Sequence, residues 1–112
     1  MSNILNFNNV TKQYLTITFA DEKNTTIMVG TPTKALLREL VDLEKNIRNI
    51  DPENNFGALD ELYSVCAKIM SRNKTGFKVT KEFLEENLDF EDSLIFLKGY
   101  MSFVSRLSKQ KN

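Results

Sequence analysis

The sequence has no histidine, no tryptophan, one cysteine, two prolines and four glycines in 112 residues. Each scarcity removes a class of chemistry. Without histidine the chain lacks the commonest general base and the commonest metal ligand. The lone Cys66 has no intrachain disulfide partner, which fits a reducing, intracellular setting. One thiol without imidazoles leaves a zinc site short of ligands, and no Asp/Asn-rich loop has the EF-hand spacing. Gly30, Gly57, Gly76 and Gly99 stand apart from one another, so there is no glycine loop to cradle a phosphate. Net charge is also missing: 15 Lys+Arg face 15 Asp+Glu. That balance removes the overall electrostatic footprint of a nucleic-acid binder. No apolar run approaches the ~20 residues of a membrane span. The first ten residues have neither the basic start nor the apolar stretch of a signal peptide, so a cytoplasmic chain is expected. We find no internal repeat. These absences point to a non-enzymatic protein without cofactor or metal.

What is present is ordinary globular material. Hydrophobic residues make up 41% and charged residues 27% of the chain, which suffices for one domain spanning residues 1–112. A chain of this size buries roughly 65% of its unfolded surface, enough for a core without covalent staples. Residues 1–12 are rich in asparagine and read as an arm or an extra strand. Residues 14–29 read as a hairpin. Leu15, Ile17 and Phe19 alternate with Thr16 and Thr18, the polar stretch 21–24 turns the chain, and residues 25–29 return as a second strand. Such a hairpin needs a helix against its apolar face.

Residues 33–107 read as three to four amphipathic helices. Together with the hairpin they give an α+β, mostly helical fold. Thr31 or Thr33 can cap the first helix, whose stripe is Leu36, Leu40, Leu43, Ile47 and Ile50, widened by Leu37 and Val41. A polar loop at 51–57 follows. The second helix is expected from about Ala58 to Arg72, with Leu59, Leu62, Tyr63, Cys66, Ile69 and Met70 on one face and Gly76 as its left-handed C-cap. Cys66, between Tyr63 and Ile69, is expected to be a core thiol. Thr80 caps a short helix carrying Phe83, Leu84 and Leu88. Asp89 opens the final helix, with Asp92 in its first turn. Residues 108–112 are expected to fray.

The final helix carries apolar residues on two sides. Phe90, Leu94, Leu97, Met101, Val104 and Leu107 form one stripe; Phe96, Tyr100 and Phe103 form another. The helix is therefore central to the core or shared with a partner. Gly99, inside it, costs up to ~1 kcal/mol relative to alanine and suggests close approach of another helix, from this chain or a partner. Phe96, Gly99, Tyr100 and Phe103 are accordingly the candidate partner-binding surface, with core packing as the competing reading. On the surface reading, Phe103→Asp abolishes binding and leaves unfolding unchanged.

Charge is uneven along the chain. Lys68, Arg72, Lys74, Lys78 and Lys81 precede Glu82, Glu85, Glu86, Asp89, Glu91 and Asp92. This is either an electrostatic handle for a charged partner or a set of helix-start acids and solvated faces. The basic stretch lacks the aromatic platform that single-stranded nucleic acid would need. A helix-turn-helix over 80–107 would turn acids and aromatics toward DNA.

The order of segments is distinctive. A polar hairpin leads through Met28-Val29-Gly30-Thr31-Pro32-Thr33-Lys34 into a helix. Lys68-Ile69-Met70-Ser71-Arg72-Asn73-Lys74-Thr75-Gly76 comes later, then Val79-Thr80-Lys81-Glu82-Phe83-Leu84-Glu85-Glu86 and Phe90-Glu91-Asp92. Over residues 14–107 this resembles the small tail-assembly chaperones of tailed phages and prophages of Gram-positive bacteria. The resemblance implies a non-enzymatic protein of the host cytoplasm, with the tape-measure protein as partner and the tail-tube protein as a further candidate, and absence from the mature virion. It also leaves room for a homo-oligomer and for a longer frameshifted product, with which the 109–112 tail is compatible. Another phage morphogenesis subunit, such as a head–tail completion protein, and a small cytosolic adaptor or regulator are the alternatives.

Overall fold

The computed structural model describes residues 4–7, 12–47 and 56–109. The order of elements is β1 (Leu15–Thr18), β2 (Thr26–Val29), α1 (Lys34–Ile47), α2 (Phe56–Met70), α3 (Lys81–Asn87) and α4 (Phe90–Lys109). The fold is α+β and mostly helical. Ile50, the 51–55 loop and residues 110–112 lie outside the described residues, as do 1–3 and 8–11 of the arm. Residues 4–7 form no strand, and Ile4, Leu5 and Phe7 are exposed.

β1 and β2 pair antiparallel, Leu15 opposite Val29 and Ile17 opposite Ile27. The turn is closed by Asp21, whose carboxylate accepts from the Thr25 amide at 2.8 Å and the Thr25 hydroxyl at 2.6 Å. These bonds hold the Asp21 carboxyl below the usual aspartate range, the hydroxyl bond contributing most. Asn24 takes the left-handed conformation the turn requires, with φ 49°. Period-2 patterning puts Ile27 and Val29 on the buried face. The free side of β2 is not bare: the Lys74 amide donates to the Met28 carbonyl at 2.9 Å and the Gly30 amide to the Arg72 carbonyl at 3.1 Å. The turn after α2 thus extends the hairpin as an isolated bridge.

The helix at the centre is α2, not α4. α2 buries Leu62, Tyr63, Val65, Cys66, Ala67, Ile69 and Met70, and a helix that is apolar most of the way round belongs inside. α1, α3, α4 and β2 all pack on it. α1 contributes Leu36, Leu40 and Leu43, with Thr33 rather than Thr31 as its cap: the Leu36 amide donates to the Thr33 hydroxyl at 3.2 Å. Thr80 caps α3, accepting from the Phe83 amide at 3.0 Å.

Two local expectations are corrected. α2 ends at Met70, so Gly76 (φ 79°) is not its C-cap. It serves the turn built on Asn73, whose side chain donates to the Met70 carbonyl at 2.9 Å and accepts from the Phe77 amide at 2.9 Å. The short asparagine side chain replaces the backbone bonds a glycine cap would have made. At the other end, α4 continues through Ser108 and Lys109, where fraying was expected. Val104 and Leu107 pack against the core and hold its last turns.

Candidate partner-binding surface

α4 begins with a reciprocal cap. The Asp92 amide donates to Asp89 Oδ1 at 2.8 Å, and the Asp89 amide donates to Asp92 Oδ2 at 3.1 Å. This is the capping-box arrangement with aspartates, and both charges favour the helix N-terminus. It fixes which sides of the next five turns face inward.

The aromatic stripe faces inward. Tyr100 is fully buried, Phe103 is 6% exposed and Phe96 9%. Phe96 stacks on Tyr100 with ring centroids 5.7 Å apart, and Phe103 follows at 6.1 Å. The Tyr100 hydroxyl donates to the Gly30 carbonyl at 2.9 Å and ties α4 to the end of β2. Burial pushes its phenol up to about 12. These three side chains are core, which corrects the reading of them as a partner surface. The physical reason is that a two-stranded hairpin supplies too little apolar cover for α2, and the aromatics of α4 complete it. Gly99 alone of that set is exposed. A Cβ built on it would meet nothing within 4 Å, so among the described residues no other helix approaches it.

The open apolar surface lies on the other stripe. A cleft of about 640 Å³ separates α1 from α4. Leu40 and Leu97 form its buried floor, and Ile47, Leu94 and Met101 are half-buried in it. Ile95 stands beside it, 62% exposed. Glu44, Glu91 and Lys98 supply charges of both signs. Sequence reasoning assigned Leu94, Leu97 and Met101 to a stripe without seeing that α1 leaves them partly open. It gave Ile95 no role at all. The usable signal was that Ile95 falls on neither apolar stripe of its helix and so had to point outward.

The charge handle is dispersed. Lys68 pairs with Glu39 at 2.8 Å and Lys81 with Asp60 at 3.2 Å. Arg72 Nε donates to the Thr31 carbonyl at 3.3 Å, and Lys74 lies 5.6 Å from the centre of the Tyr14 ring. Asp89 and Asp92 are spent on the helix cap. These cations therefore fasten α1, α3 and the hairpin to the ends of α2, while two of the acids start α4.

Cys66 is fully buried, as expected, and burial pushes its thiol up to about 12. A thiol held protonated in the core is no nucleophile at neutral pH. Among the described residues no three His, Cys, Asp or Glu side chains gather as metal ligands, and no helix is long and apolar enough to cross a membrane. Comparison with protein-family models, curated proteins and solved structures returns no match for this chain.

Proposed function

We propose that the chain is a non-enzymatic tail-assembly chaperone of a tailed phage or prophage. It acts in the host cytoplasm, binds the tape-measure protein, assists tail-tube assembly and is absent from the finished virion. The observation that carries the reading is the α1/α4 cleft: an apolar trough with Glu44, Glu91 and Lys98 around it. Such a trough takes the apolar face of an amphipathic helix, and charges of both signs fix its register without making binding irreversible. The phrases that resemble the chaperones support the same reading. Met28–Lys34 joins β2 to α1, one wall of the cleft, and Phe90–Asp92 starts α4, the other wall.

Met101→Glu tests it. Met101 is half-buried, so the variant is expected to retain the helical circular-dichroism spectrum of the wild type. Co-expressed tape-measure protein should co-purify with the wild-type chain and not with the variant. Equal capture by both would contradict the assignment of the cleft, and capture by neither would contradict the chaperone reading. Mass spectrometry of purified particles adds a separate check, since a chaperone should be missing from them.

A further inference from the structure

The outward side of α4 shares Ile95 and Ser102 with the rim of the cleft, but it has an organisation of its own along the helix. Asp92, Ile95, Gly99, Ser102 and Arg106 follow one another at steps of three, four, three and four, and all are exposed. That spacing puts them on one stripe of the helix, the seam along which two helices pack. Its centre is a glycine for which the described residues supply no neighbour within 4 Å of a Cβ position. Next to it is the exposed Ile95, with apolar surface on either side: the α1/α4 cleft, and a smaller one of about 320 Å³ against β1. The ends carry opposite charge. Asp92 and Arg106 lie seven residues to either side of Gly99, which is about 10 Å along the axis each way. Among the described residues Asp92 is engaged only by the helix cap, and Arg106 forms no ion pair.

We propose that a second copy of this chain covers this stripe, the two α4 helices crossing antiparallel at Gly99. A stripe that is acidic at one end, basic at the other and open at its midpoint is complementary to itself after a two-fold rotation about that midpoint. Rotation sets Asp92 opposite the partner's Arg106 and Arg106 opposite the partner's Asp92. The missing side chains at the two glycines let the backbones approach closely. Each Ile95 then packs beside the partner's Ser102 and loses its contact with water. A parallel pairing would place like charges together at both ends, so the charge pattern selects the antiparallel one.

Sedimentation across a concentration series tests this independently of the chaperone reading. The wild-type chain is expected to shift from monomer to dimer, less readily at high salt. Arg106→Glu should sediment as monomer where the wild type is dimeric, because two acidic ends then meet. The double variant Asp92→Arg with Arg106→Glu restores opposite charges and should dimerise again. Gly99→Leu fits the monomer, since the space is open, and should block the close approach. A wild-type chain that stays monomeric throughout overturns the proposal, as does a Gly99→Leu variant that dimerises like the wild type. Met101→Glu separates the two readings: it lies off the stripe and should keep the dimer while losing the tape-measure protein.

Discussion

The two sides of α4 have the same parent helix and opposite fates. The inward side packs Phe96, Tyr100 and Phe103 into the core, and the Tyr100 hydroxyl is spent on the Gly30 carbonyl. The outward side sets one exposed isoleucine among a glycine, a serine and two opposite charges. Aromatic content pointed to the inward side as the partner surface. Geometry shows why that is misleading: large rings are what a small core needs most, and these three are spent on it. The surface a small protein offers is better read from the apolar residue that has no place in its core. On α4 that residue is Ile95.

The comparison breaks most sharply at Phe103. An aspartate there must bury a charge with no partner, so Phe103→Asp is expected to cost about 4 kcal/mol or more and to abolish the cooperative thermal transition. A variant melting near wild type would return Phe103 to the surface. Tyr100→Phe is a gentler probe of the same side. It keeps the ring and deletes the bond to the Gly30 carbonyl, for an expected loss of about 1 kcal/mol in denaturant unfolding.

On the outward side the sign reverses. Gly99→Ala meets open space in a helix interior and should raise monomer stability by about 0.5–1 kcal/mol. The same change should weaken the dimer. No inward position has that combination, and a destabilising Gly99→Ala would mean that something in the chain already occupies the space.

The smallest effect is alkaline. Burial holds both the Cys66 thiol and the Tyr100 phenol up at about 12, whereas the unfolded chain releases these protons near ~8.5 and ~10. The unfolded state therefore binds fewer protons in that window. The stabilisation is fully present below pH ~8.5 and declines as the pH rises toward 12. Urea midpoints should fall with increasing pH, and Cys66→Ala should remove the early part of that slope, whatever it does to the midpoint at neutral pH.

Much of the fold was legible because short-range rules govern it. Thr16 and Thr18 alternate with apolar residues in β1, Thr80 and Asp89 mark helix starts, and the steps of three and four in α1 are a one-dimensional signal. Three things were not. The burial of Val65 and Ala67 on a further side of α2 depends on how many neighbours surround that helix, which periodicity does not report. The turn at Asn73 depends on a pairing with Val29, far away in sequence. The cleft was illegible for a related reason. Leu94 and Met101 belong to an ordinary apolar stripe, and only the separation of α1 from α4, both braced on α2, leaves that stripe uncovered.

The most direct test of the account is a methyl-resonance titration of the chain with segments of the tape-measure protein. Shifts are expected at Ile47, Leu94 and Met101, which line the cleft, with the core methyls of Leu62, Leu84 and Val29 unmoved. Shifts confined to the core, or none on α1 and α4 at saturating tape-measure segment, would contradict it.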